Sequence, residues 1–251
     1  KDLYDMTTAI CQDVTVVHTP IKPNGMGNLE CMENVKCRTD LIKTLEYAGR
    51  LSVYYEHEVI VVVHLGEAYR ILETREYLFT LLDEVFYNAF AQYPLLRVGI
   101  ENVMCEAPDI MKAGVLFDNV RLVERLNCSC GTNRFGTVLD ICHAKATCLL
   151  MRKAFAGYET ICDIPTLETF FEQNEHCCIL VHLADAKGLG ISKGEHGCKF
   201  GNEDDMRRVM GLYHKYEYKC PITIEISEID YTNVPDFTDN FLMLKKIEGL
   251  L

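Results

Sequence analysis

The sequence contains no unbroken apolar run of the ~18 residues that a membrane-spanning helix needs. Its longest candidate, "EVIVVVHLG", has strand length. It also has no C-x-x-C pair among its 13 cysteines, which argues against a zinc knuckle or a dithiol redox centre. The first residues, "KDLYDMTTAICQD", lack the basic start and apolar centre of a secretory signal. Cys142, Cys148, Cys177, Cys178 and Cys220 lie in or beside apolar segments, where reduced cysteine behaves as a small hydrophobe. The odd count and this placement predict structural thiols in a reducing cytoplasm. Positive charge is scarce as well: 25 Lys and Arg face 37 Asp and Glu, for a net charge of −12. That argues against a generally basic nucleic-acid surface, although a local basic groove remains compatible with it.

What is present suits a folded α/β protein. Of the 251 residues, 49% are hydrophobic and 25% charged, enough for a sizeable core. Short apolar runs rich in β-branched residues recur along the chain: "DVTVVH", "EVIVVVH", "LLRVGIE", "GTVLD", "CCILVH" and "PITIE". Runs apolar on both faces suit strands of a covered parallel sheet. Helical stretches such as "REYLFTLLDEVFYNAFAQY", "LETFFEQN" and "DDMRRVMGLYHKYEYK" separate them. Strand alternating with helix predicts an α/β fold with parallel strands. The strand ends recur about every 41 residues, and eight such units need more than roughly 300 residues. The expectation is therefore a single (β/α)8 TIM-barrel domain over residues 1–251, its first two strands missing or unrecognisable.

The six runs end near residues 18, 64, 101, 140, 182 and 225, each on a histidine or a carboxylate: His18, His64, Glu101, Asp140, His182 and Glu225. His143 and His196 are expected in loops just beyond. In a parallel barrel such ends meet at one mouth. A carboxylate such as Asp140, leaving an apolar strand, costs several kcal/mol unless a charged partner meets it. One or two of these residues are readily explained as satisfied core groups. Six in succession are better explained by shared metal ions. Imidazole and carboxylate without thiolate suit zinc, manganese or iron, and the eight candidates exceed what one ion needs. Lys187 follows the fifth run and is a candidate substrate contact. The basic and aromatic mix of "MRRVMGLYHKYEYK" is better read as a solvated amphipathic helix than as a nucleic-acid surface.

These residues resemble a known family. "VVHTP", "VVVHLG", "GIENV", "LDICHAKA", "HLADAKG", "GEHGCKFG" and "TIE" follow the order and approximate spacing of the endonuclease IV family, within the xylose isomerase-like TIM barrels. "LDICHAKA" is similar to the family's "LDTCHAFA", and "HLADAKG" to its "HLNDSKG". The resemblance implies a zinc-dependent hydrolase that cleaves DNA at abasic sites, with two or three ions. His18, His64 and Glu101 would hold one ion; Glu101, Asp140, His182 and Glu225 a second. A third would use His143 and His196, but Gly194 stands where the family has an aspartate, and Glu195 could replace it only if the loop shifts. The sister sugar isomerases and epimerases are similar at Glu101, Asp140, His182 and Glu225. That alternative implies a single ion, zinc or manganese, and a small sugar or sugar phosphate substrate, with Glu101 and Glu225 as acid and base.

Overall fold

A computed structural model of the chain describes residues 3–10, 13–20, 27–66, 69–104, 117–156, 164–188, 195–227 and 232–250. Contacts divide it into two compact units, Lys1–Glu101 with Asp118–Gly136, and Asn102–Phe117 with Thr137–Leu251.

The first unit contains β1 (Val16–His18), β2 (Val59–His64) and β3 (Leu96–Glu101), with α1 (Leu3–Ile10), α2 (Val35–Tyr55), α3 (Tyr69–Leu72), α4 (Glu76–Gln92) and most of α5 (Phe117–Ser129). β2 pairs in parallel with β1 on one side and β3 on the other; the register sets His18 beside Val62 and His64 beside Glu101. All six residues of β2, "VIVVVH", are buried, as the continuous apolar run requires of a strand covered on both faces. Burial of each valine contributes on the order of 2 kcal/mol. Asn34 caps α2 by accepting the amides of Lys36 and Cys37. The inward face of α2 carries Cys37, Leu41, Leu45, Ala48 and Leu51; that of α4 carries Leu78, Phe79, Leu82, Val85, Phe86 and Phe90. Gly49 is where α2 meets the Tyr93 ring: a Cβ there would lie 2.2 Å from the ring.

The second unit holds most of β4 (Phe135–Asp140), β5 (Cys178–Leu183) and β6 (Ile222–Ile224), again all parallel. With them are α6 (Ile141–Ala154), α7 (Leu167–Asn174), α8 (Glu203–Lys215) and α9 (Pro235–Ile247). Asp140 pairs with His182, and His182 with Thr223. Leu139, Val181, Leu183, Phe170, Phe171, Met206, Val209 and Met210 form its core. Thr166 and Thr169 close a reciprocal capping box on α7. On α8, Met206, Val209 and Met210 turn inward, while Arg207 pairs with Glu203 and Lys215 with Glu168. That is the solvated amphipathic helix expected of "MRRVMGLYHKYEYK".

All six expected strands are present and all are parallel. Two boundaries move: β5 runs one residue past His182, and β6 ends at Ile224, one residue before Glu225. Glu225 still donates its amide to the Leu183 carbonyl at 3.3 Å, continuing the ladder. His143 is a correction, since it sits in the first turn of α6 and not in a loop. Gly194 lies outside the described residues.

Candidate metal centre

In the first unit the strand register brings three side chains together. Glu101 is 1% exposed, and its Oε2 lies 3.0 Å from His18 Nε2 and 3.2 Å from His64 Nε2. His18 Nδ1 lies 2.7 Å from the Thr19 carbonyl, so Nδ1 carries the proton and donates it there. In the neutral ring Nε2 then presents a lone pair to a carboxylate oxygen, which is repulsive unless a cation lies between them. Protonating both histidines would place two imidazoliums, with ring centroids 5.2 Å apart, beside one buried carboxylate, a costly arrangement. One divalent ion satisfies all three atoms. Ligand atoms on a tetrahedral zinc with bonds of about 2.0 Å stand about 3.3 Å apart, close to the two observed separations. The donor set fits the ion.

In the second unit Asp140, His182 and Glu225 each offer a ligand atom within 4.8 Å of the others. His182 Nδ1 lies 2.6 Å from Glu225 Oε2 and 4.0 Å from Asp140 Oδ2. Asp140 and His182 are buried, whereas the Glu225 side chain is 47% exposed. Asp140 also has a local partner. Its Oδ1 accepts the His143 amide at 2.5 Å, capping α6. The carboxylate that leaves the strand is thus met partly by the start of a helix, whose free amides attract negative charge.

His143 and His196 meet with Nε2 atoms 2.7 Å apart. His143 Nδ1 lies 2.8 Å from the Asn102 carbonyl and donates to it, leaving His143 Nε2 to accept from His196 Nε2–H. A separation of 2.7 Å is a hydrogen-bond length, shorter than the spacing of two ligands on one ion. Among the described residues, neither group of three or more potential ligands includes this pair. The Glu195 carboxylate lies against Gly188, its Oε1 3.1 Å from where a Cβ would stand. Lys187 is exposed; its amide donates to the Glu195 carbonyl at 2.9 Å.

The structure adds two supports around these residues. Asn102 is buried and grips the Asp140 backbone from both sides: its Oδ1 accepts the Asp140 amide at 2.7 Å, and its Nδ2 donates to the Asp140 carbonyl at 3.0 Å. Lys145 Nζ lies 2.6 Å from Asp185 Oδ1. The clue available for Asn102 was its place directly after a strand-end carboxylate.

No protein-family model and no curated protein matches the sequence. Solved structures do. A D-tagatose 3-epimerase-like protein matches with a TM-score of 0.67 at 19% identity, over 99% of this chain and 81% of its own. A xylose isomerase domain protein from Planctomyces limnophilus matches at 0.59 and 14%, over 98% and 81%. The fold is that of the xylose isomerase-like TIM barrels. An IOLI protein with a binding zinc atom matches at 0.58 and 11%, also over 98% and 81%. At these identities the likeness establishes the xylose isomerase-like fold and leaves the reaction to be argued from the site.

Proposed function

We propose that this protein is a metal-dependent phosphodiesterase of the endonuclease IV type, cleaving DNA at abasic sites. The observation that carries the reading is the His18–Glu101–His64 cluster. It is a candidate ligand set additional to Asp140, His182 and Glu225, whereas a one-ion isomerase would use His18 and His64 only around its substrate or behind its ligands. When bound, divalent ions would supply Lewis acidity, acidifying water and neutralising charge on phosphoryl oxygens. The chain's own residues do the rest. The Thr19 carbonyl fixes the His18 tautomer so that Nε2 faces inward. Buried Glu101 contributes the negative charge shared by both histidines. Asn102 holds the strand end that presents Asp140. In this reading Lys187, exposed beyond β5, would contact a substrate phosphate.

The reading is tested by counting metals on purified protein and incubating the same preparation with a duplex containing one abasic site. Two or more ions per chain and chelator-sensitive strand cleavage are expected. One ion per chain, no cleavage, and exchange of solvent hydrogen into a keto-sugar would replace it with the isomerase reading, in which Glu101 and Glu225 transfer the proton.

A further inference from the structure

The two histidines that meet at 2.7 Å come from different elements. His143 stands on the first turn of α6, and His196 on the segment between β5 and α8. Nothing in the spacing of the two fixes their register, so something must hold the segment. Its backbone is gripped at successive points. Asp185 and Cys198 exchange both backbone hydrogen bonds, at 2.7 and 2.8 Å. The Ser227 amide donates to the Gly197 carbonyl at 2.8 Å. The Phe200 amide donates to Oδ1 of buried Asn240 at 3.1 Å. Each of these anchors joins the segment to β5, to the chain after β6 or to α9. The Gly197 amide donates to Cys142 Sγ at 3.2 Å, tying this backbone to the helix that carries His143.

Gly197 has φ of +64°, and a Cβ there would stand 2.9 Å from Ser227 Oγ. The backbone beside His196 therefore adopts a turned conformation packed against Ser227, with the Gly197 amide directed to Cys142. One turn on, on the same face of α6, Lys145 pairs with Asp185 at 2.6 Å and lies 4.6 Å over the Phe200 ring. Beside His143, Cys142 and Lys145 thus give α6 two further contacts with the His196 segment and its Asp185 anchor.

We propose that Cys142 is a positioning residue: by accepting the Gly197 amide, its sulfur sets the register at which His196 meets His143. The proposal rests on the functional reading only in taking both histidines as parts of the site. Its test uses neither DNA nor metal, so the two can fail separately.

The experiment compares Cys142→Ala with Cys142→Ser in metal-free protein carrying 15N-labelled histidine. Serine retains an acceptor and alanine does not, while both give up similar volume. Through-hydrogen-bond coupling between the two Nε2 nitrogens is the readout, because a general loss of packing leaves it unmoved so long as the rings stay in register. Coupling is expected in the native protein and in Cys142→Ser, and its loss in Cys142→Ala. Cys142→Val, which fills the space without an acceptor, is read the same way should the alanine variant not fold. Coupling that persists in the variants lacking an acceptor overturns the proposal, as does coupling absent from the native protein or lost equally in Cys142→Ser.

Discussion

Glu101 is asked to do more than any other residue, since one oxygen of a buried carboxylate faces two imidazole nitrogens. Glu101→Gln keeps its shape and removes its charge, so metal bound by His18 and His64 should fall by at least one ion per chain. On the proposed phosphodiesterase reading, strand cleavage should be lost while binding to abasic DNA is largely kept, because an amide of the same shape leaves the surface around the site unchanged; equal loss of both would count against a catalytic role. Asn102→Ala strands the amide and carbonyl of Asp140 in a buried place. It should lower unfolding free energy by about 2 kcal/mol, read from denaturant curves of the metal-free protein. The candidate ligands stood out in the sequence because a histidine or carboxylate at the end of an apolar run breaks a pattern. Asn102 did not, because a neutral amide one residue past a strand looks like any loop residue. Its importance comes from the neighbouring strand, which the sequence places 38 residues away.

The elements were legible in unequal measure. Strands announced themselves by β-branched runs, and α7 by the helical stretch "LETFFEQN", whose threonine cap only the structure shows. The start of α6 was hidden because Asp140 was read as a ligand alone, when the same carboxylate also caps a helix. The two roles separate under Asp140→Asn, whose amide oxygen still caps. The metal-free variant should melt near the native temperature but bind the metal of the second unit at least about tenfold more weakly. A fall in stability as large as that of Asp140→Ala would show that charge matters to the cap itself. A second joint lies between the segment before β1 and the turn after α2, where His57 bonds Asp13 and stacks on Tyr55. Its hydrogen bond to Asp13, aided by the Glu58 carbonyl, raises the His57 pKa above the usual value near 6.5. A raised folded pKa contributes stability fully present below the unfolded value and lost as pH climbs through the folded one. The gap in melting temperature between native protein and His57→Ala should therefore be widest at about pH 5.5 and close on the alkaline side. A gap independent of pH would exclude the ion pair as its cause.

For the molecule as a whole, ions that bind only the folded chain must stabilise it, by about 2.7 kcal/mol at a free concentration a hundredfold over Kd. Chelation should lower the melting temperature. His64→Ala in the first unit and His182→Ala in the second should each abolish only part of that shift, since each interrupts one ligand set. Loss of the entire shift on either substitution would mean that one set alone holds metal. Which ion the molecule prefers follows from how Asp140 divides its oxygens. Oδ1 is committed to the His143 amide, leaving Oδ2 toward His182. Bound through Oδ2, such a carboxylate would be monodentate, and swinging both oxygens onto one ion would strain the α6 cap. Large hard cations that gather six to eight oxygens lose a donor they would use, whereas a small four-coordinate ion loses nothing. The helix cap thus acts as a filter on ionic radius, and calcium should compete poorly with zinc even in large excess.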